Sequence, residues 1–280
     1  MDANNYECSI DFNKITDLVK IGTGTYGVVF KAVYDNRTIA IKKFNAYGEM
    51  KNVERELRNL KDVKHANILL MIGDSWSDSL YSLVEFADGG SLDCFLHNPP
   101  LTEYTLNHIV NWTLHAFEAV AYLHSSSDPL VHGDLKPSNM LLTDHRRVLK
   151  ISDFGSVRTE ATTNTNIRTT APYMAPEIAG DQLPSPASDV FSCSVILWEM
   201  LSRKRPYDDI KSSWEILSLV EKGKHLDLKE ITMEYPEELE LLITEGWNVN
   251  PSSRPNIISF VTVLRSYFNE QKLFDADLSI

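Results

Sequence analysis

The stretch VHGDLKPSNMLL, residues 131–142, sets a carboxylate, an ammonium and a carboxamide (Asp134, Lys136 and Asn139) within six positions, just ahead of an apolar run. Such a set suits phosphoryl transfer, which asks a protein for little covalent chemistry and much positioning. Asp134 has the chemistry to accept the proton of an incoming hydroxyl, Lys136 to balance charge on the group in transit, and the Asn139 oxygen to ligate a hard cation. Taken alone, the stretch also reads as a polar turn around Pro137.

The next twelve residues narrow that choice. MLL at 140–142 and VLKIS at 148–152, with TDHRR between them, predict a hairpin that brings Asn139 and Asp153 to the same end. Two oxygen ligands would then converge on one cation, and Gly155 after Asp153 would give the backbone freedom there.

A third cluster lies near the start. GTGTYGVV, residues 22–29, contains G-x-G-x-x-G, which alone fits a dinucleotide turn, a flap over phosphates or an ordinary glycine-rich turn. A dinucleotide fold needs a helix to begin at these glycines. VVFKAVY at 28–34 instead has the composition of a strand, and TIAIKK at 38–43 reads as its partner across Asp35-Asn36. The loop is therefore expected to fold over phosphates as a flap, with Gly22, Gly24 and Gly27 letting N–H groups approach anionic oxygens. Alternation places Ala40 and Lys42 on one face, leaving room for a flat base beside a phosphate-binding ammonium. A solvated strand lysine is the bland alternative for Lys42. Its anionic partner is assigned to Glu56, with Glu54 as competitor, on a helix expected over 49–62.

Among the elements that must position these groups, short strands are expected at 68–72 and 80–84, a long helix over 104–124, and a helix over 187–202 that is apolar on nearly every side. Further helices punctuated by Pro236, Pro251 and Pro255 run to about residue 270. With 280 residues the chain is long enough for two lobes around a cleft. A net charge of -12 argues against nucleic-acid binding and against a polybasic membrane surface. Cys8, Cys94 and Cys193 are odd in number and scattered, which suits a reducing, cytoplasmic setting and neither a disulfide framework nor a zinc site. The N-terminus lacks a basic flank and an apolar run, and no stretch reaches membrane-spanning length, so no membrane insertion is expected.

With these motifs in order, the sequence resembles the eukaryotic protein kinase family over roughly residues 15–270. The motifs that carry the likeness are GTGTYGVV, AIK, HGDLKPSN, DFG, APE at 175–177, SDVFS around Asp189, and Arg254 before Pro255. The resemblance implies an α+β, bilobal fold: a short N-terminal extension over 1–14, a β-rich N-lobe over about 15–84, a hinge over about 85–90, a mostly helical C-lobe over about 91–270, and a tail over 271–280. It implies ATP and Mg2+ as cofactors and protein substrates. Asp134, Lys136, Lys42 and Glu56 would form the catalytic set, and Asn139 and Asp153 would hold the metal.

The same likeness assigns ATP contacts to Ile21, Gly22, Thr23, Gly24, Thr25, Tyr26, Gly27, Val28, Val29, Ala40, Lys42, Glu85, Ala87 and Leu141. Val84 stands as gatekeeper beside the adenine, Glu177 and Arg254 as a buried ion pair, and Asp189 as the brace of the catalytic loop. Lys136, two places after Asp134, points to the serine/threonine type, and Thr170 matches the threonine that touches both. The usual glycine before it is Thr169 here. Thr162 and Thr165 are the candidate activation-loop phosphosites.

Several phrases, ERELRNL, LVEFADGGSLDCFLH, AVAYLHS and VLKISDFG, look closer still to the transforming growth factor beta activated kinases, a branch of the mitogen-activated protein kinase kinase kinases. That implies downstream kinases as substrates in stress or immune signalling, with a possible activating adaptor. Tyr173 stands where that branch has tryptophan. The sequence ends soon after the kinase-like region, without room for the branch's long regulatory tail, so different regulation is expected. Gly133 replaces the arginine that usually precedes the catalytic aspartate and pairs with a loop phosphate. This is the main feature favouring the alternative, a pseudokinase-like scaffold or adaptor-binding protein.

Overall fold

A computed structural model describes residues 10–24, 27–44, 63–76, 80–125, 129–154, 157–159, 170–180, 182–270 and 280. They fall into two compact units, one holding the chain up to Ala87 together with Asp153–Gly155, the other holding Asp88–Ser152 and the chain from Ser156 onward. The helix expected over 49–62, and with it Glu54 and Glu56, lies outside the described residues, as do Thr25, Tyr26, Gly155, Thr162, Thr165 and Thr169.

The first unit is a five-stranded antiparallel sheet of β1 (Ile15–Gly24), β2 (Gly27–Tyr34), β3 (Arg37–Phe44), β4 (Met71–Trp76) and β5 (Leu80–Glu85), in the order β1-β2-β3-β5-β4. Period-two alternation divides its faces. Ile39, Ile41 and Leu83 turn to one side, where they pack with Ile10 and Ala32 in a small apolar core. Ala40 and Lys42 therefore occupy the other side.

One expected strand is displaced. The apolar run at 68–72 suggested a strand there, but the ladder begins at Met71 and continues through Gly73, Asp74 and Ser75. Ile68 and Leu69 are buried without belonging to the strand, whereas Asp74 and Ser75 are buried within it. Apolar composition marks burial, and here burial and ladder pairing fall on different residues.

The second unit is mainly helical: α1 (Leu92–His97), α2 (Leu106–His124), α3 (Pro176–Ala179), α4 (Pro186–Ser202), α5 (Ser213–Glu221), α6 (Glu237–Gly246) and α7 (Ile257–Glu270). It also contains β6 (Gly90–Ser91), β8 (Met140–Thr143) and β9 (Val148–Ile151) in one small sheet, and β7 (Leu130–Val131) paired with β10 (Arg158–Thr159). Strands β8 and β9 form the expected hairpin, whose turn places Asp144, His145 and Arg146 at positive φ.

Helix α2 pins that hairpin. Asn111 Nδ2 and Trp112 Nε1 donate to the carbonyls of Arg147 and Arg146, both at 2.7 Å, and Leu149 N–H donates to His115 Nδ1. Helix α4 is buried from Ser188 through Ser202. Its serines satisfy themselves on backbone carbonyls, Ser192 on Tyr173 and Ser194 on Val190 and Leu242. Among the described residues no helix is long and apolar enough to cross a membrane.

Candidate active site

The second unit builds its candidate residues on α4. Asp189, 1% exposed, accepts from His132 N–H at Oδ2 and from Gly133 N–H at Oδ1, both at 2.9 Å, and from His124 Nε2 at 2.9 Å. Three donors compensate a carboxylate withdrawn from water, and two of them are consecutive amides of the loop leading to Asp134. The brace expected of Asp189 is thus made through the loop backbone. His132, fully buried, ties the loop onward: its Nε2 donates to the Ser152 carbonyl, and its Nδ1 accepts from Asp134 N–H.

Around Asp134 three side chains converge. Lys136 Nζ lies 2.7 Å from Asp134 Oδ2 and 2.9 Å from Thr170 Oγ1, while Thr170 Oγ1 lies 3.5 Å from Asp134 Oδ1. Asn139 Nδ2 donates to Asp134 O at 2.8 Å and to Oδ2 at 3.2 Å. With its amino end engaged there, the carboxamide oxygen of Asn139 is the end left to face a cation, as a hard-cation ligand requires. Ser152 closes on the carbonyl of Asn139 with both N–H and hydroxyl, at 2.9 and 3.0 Å, so the hairpin returns the chain to Asn139 one residue before Asp153. Leu141 is half-buried on β8.

Gly133 has φ +73°, in the left-handed region where a side chain is strained. The sequence shows glycine here only as the loss of an arginine. The backbone shows a second property, freedom to hold the turn that presents both amides to Asp189.

The first unit carries the other candidates. Strands β1 and β2 form a hairpin in which Gly22 pairs with Val29, Thr23 with Val28 and Gly24 with Gly27, so the glycine motif joins two strands and opens no helix. Its glycines are not equivalent. A Cβ on Gly27 would stand 1.9 Å from the Lys43 carbonyl oxygen, whereas one on Gly22 meets nothing within 4 Å. Gly27 serves close strand packing, and Gly22 leaves open the space an anionic ligand would need. Ile21 is exposed, Val29 half-buried and Ala40 buried.

Lys42 Nζ lies 3.4 Å from Asp153 Oδ1 and 4.9 Å from the centre of the Phe44 ring. Asp153 itself sits at φ +64°. On β5, Val84 pairs with Ala40. Glu85 pairs with Leu70 twice, its N–H donating to the Leu70 carbonyl and its carboxylate accepting Leu70 N–H at 2.7 Å. Glu85 and Ala87 are half-buried at the end of this strand. Within the first unit the residues present suit a nucleotide, with an open glycine turn, a small residue and a partly exposed ammonium, and in each unit one hard oxygen donor, Asp153 or Asn139, suits Mg2+.

A network outside the expected residues adjoins Thr170. Tyr173 Oη donates to Glu199 Oε2 at 2.7 Å, and Glu199 Oε1 lies 2.7 Å from His97 Nε2. Burial, then the charge of Glu199, pushes the Tyr173 phenol well up, so it remains a donor. Asp93 beside this cluster takes Arg205 Nη1 at 2.6 Å. Only Tyr173 carried a sequence signal, its place three residues after Thr170. Glu199 and His97 lie 102 residues apart and carried none. Deeper in the unit, Arg254 grips Glu177 with two bonds of 2.7 Å, with side-chain exposures of 0% and 6%.

Residues 15–267 match the protein kinase domain family. The chain belongs to the protein kinase family. Its β-rich N-terminal part and helical C-terminal part are the α+β, bilobal kinase fold that the motifs implied. Among curated relatives, mitogen-activated protein kinase kinase kinase 7 of Drosophila melanogaster is 40% identical over 257 residues, covering 91% of this chain and 38% of the relative. The Homo sapiens protein of the same name is 38% identical over 270 residues, covering 94% and 44%. A putative mitogen-activated protein kinase kinase kinase 7-like protein of Drosophila melanogaster is 34% identical over 255 residues, covering 89% and 65%. The kinase domain is similar to these proteins, and the chain spans less than two thirds of the length of each.

Proposed function

We propose that this chain is an ATP- and Mg2+-dependent protein serine/threonine kinase that acts as a mitogen-activated protein kinase kinase kinase. The observation that carries the reading is the contact of Lys136 with both Asp134 and Thr170, which groups a proton acceptor, a cation and an orienting hydroxyl. Asp134 accepts the proton of the substrate serine or threonine as its oxygen attacks the γ-phosphorus, the bond from that phosphorus to the β,γ-bridging oxygen breaks, and ADP leaves. Lys136 stabilises charge on the transferring group and holds Asp134 in place. Lys42 positions the phosphates, Asn139 and Asp153 hold the metal, and Glu85 and Ala87 present their backbone to the adenine. When bound, the metal neutralises the phosphate oxygens, which would otherwise repel the attacking oxygen. Glu56 is retained as the partner of Lys42 in the active state.

Downstream kinases are the substrate class, as the names of the similar proteins suggest; stress or immune signalling as the setting, the cytoplasm as the location and an activating adaptor as a partner belong to the same proposal. Thr162 and Thr165 remain the phosphosites to examine first. Gly133 leaves no guanidinium to bind a loop phosphate, so activity is uncoupled from that pairing.

The test is label transfer from ATP with Mg2+ to a substrate offering serine, threonine and tyrosine, with identification of the labelled residue. Phosphoserine or phosphothreonine is expected. Phosphotyrosine alone, or no transfer, would overturn the reading.

A further inference from the structure

Tyr173 is held at three points. Its N–H donates to the Thr170 carbonyl at 2.9 Å, closing the short 3₁₀ turn Ala171–Tyr173, of which Thr170 is the N-cap. Its carbonyl accepts from Ser192 Oγ at 2.7 Å, and its hydroxyl donates to Glu199 Oε2 at 2.7 Å. Ser192 and Glu199 stand two turns apart on one face of α4, roughly 10 Å along the axis, so the tyrosine lies along that helix with both ends fixed. His97 Nε2, 2.7 Å from Glu199 Oε1, gives this carboxylate, 0% exposed, a second donor.

Packing alone does not account for this arrangement. Phenylalanine at 173 would fill the same volume, and an apolar residue at 199 would spare the helix a buried carboxylate, whose desolvation is costly unless its partners are fixed. What the bonds add is position. Tyr173 is buried one turn from Thr170, whose hydroxyl lies 2.9 Å from Lys136 Nζ and 3.5 Å from Asp134 Oδ1. A shift of the phenol is therefore passed, through a turn closed by one short hydrogen bond, to the hydroxyl that meets both the cation and the proposed base.

We propose that Tyr173 is a positioning residue for phosphate transfer: its hydroxyl, fixed on Glu199 and backed by His97, sets the place of Thr170 against Lys136 and Asp134. The inference rests on the kinase reading of that site. Because the effect passes through the Thr170 hydroxyl, it falls on the transfer step and not on nucleotide affinity. Misplacing a catalytic group by about 1 Å can cost about a hundredfold in rate, so losing one of three anchors is expected to cost roughly tenfold.

The test is a double-mutant cycle in kcat, with wild type, Tyr173→Phe, Thr170→Val and the double variant assayed on a serine/threonine substrate at saturating ATP and Mg2+. Tyr173→Phe keeps the ring and removes only the hydroxyl, so kcat should fall roughly tenfold with the KM for ATP unchanged. In the Thr170→Val background the same change should have no further effect on kcat, because the group it positions is gone, whereas a merely structural loss would multiply through. Should Tyr173→Phe not fold, Ser192→Ala, which frees the Tyr173 carbonyl, carries the same comparison. Transfer by wild type with an unchanged kcat in Tyr173→Phe, or an undiminished loss in the Thr170→Val background, would overturn the positioning role and leave the kinase reading standing. No transfer by wild type would overturn that reading, and the role with it.

Discussion

The ammonium of Lys136 lies 2.7 Å from Oδ2 of Asp134, and the same nitrogen reaches Thr170 at 2.9 Å. One cation therefore fixes the orientation of the proposed base and ties it to the segment where Thr170 stands. Lys136→Met should lower kcat on the order of a hundredfold or more, with little change in the KM for ATP, because the lost interaction acts on the transferring group. Steady-state kinetics on a serine/threonine substrate checks this, and a change confined to the KM for ATP would place Lys136 among the nucleotide contacts.

The Arg254–Glu177 pair is a matter of stability. Both side chains are buried and doubly bonded, so removing one leaves an uncompensated charge in the interior. Glu177→Ala should cost about 3–5 kcal/mol, read as a lowered urea midpoint. A loss under about 1 kcal/mol would match an exposed pair instead.

Acid should destabilise the fold through two histidines. Burial lowers the pKa of His108 from 6.5, and burial together with the Arg254 charge lowers that of His225. Between the lowered native values and 6.5 the unfolded chain binds more protons than the native one, so stability rises with pH across that window. It is fully present above 6.5 and is lost as pH falls through the native values. Urea midpoints from pH 7.5 to 5 should drop for wild type and drop less for His225→Phe, which can keep the ring stacked on Trp247. An identical slope in both proteins would contradict the assignment to His225.

At Gly133 conformation and regulation can be separated. Gly133→Ala should cost about 1–2 kcal/mol, because φ is +73°. Gly133→Arg carries a similar backbone cost but restores a guanidinium. It should make activity depend on loop phosphorylation, measured by comparing phosphatase-treated and untreated enzyme. Equal dependence in wild type and Gly133→Arg would remove the proposed uncoupling.

Much of this site is legible in local sequence because its determinants are local. VVFKAVY has strand composition, so the glycine motif had to join strands, and β1–β2 does so. Ala40 and Lys42 share a face by alternation, and TDHRR supplies the turn between β8 and β9. What stayed hidden depends on distant partners or on backbone conformation. Asp74 and Ser75 have the look of turn residues yet lie buried in β4. His97 and Glu199 meet only because α1 and α4 are packed in the second unit, and nothing near either residue announces it. The left-handed φ of Gly133 cannot be told, from composition, from the simple loss of an arginine.

The most direct measurement of the central claim is the initial rate of phosphate transfer by Asp134→Asn beside wild type, at saturating ATP and Mg2+, with a serine/threonine protein substrate. Asparagine preserves the size of the side chain and an oxygen for Lys136 but takes away the proton acceptor, so the rate should fall about 10²–10⁴-fold with nucleotide binding retained. Transfer by Asp134→Asn at the wild-type rate would contradict the assignment of Asp134 as the base.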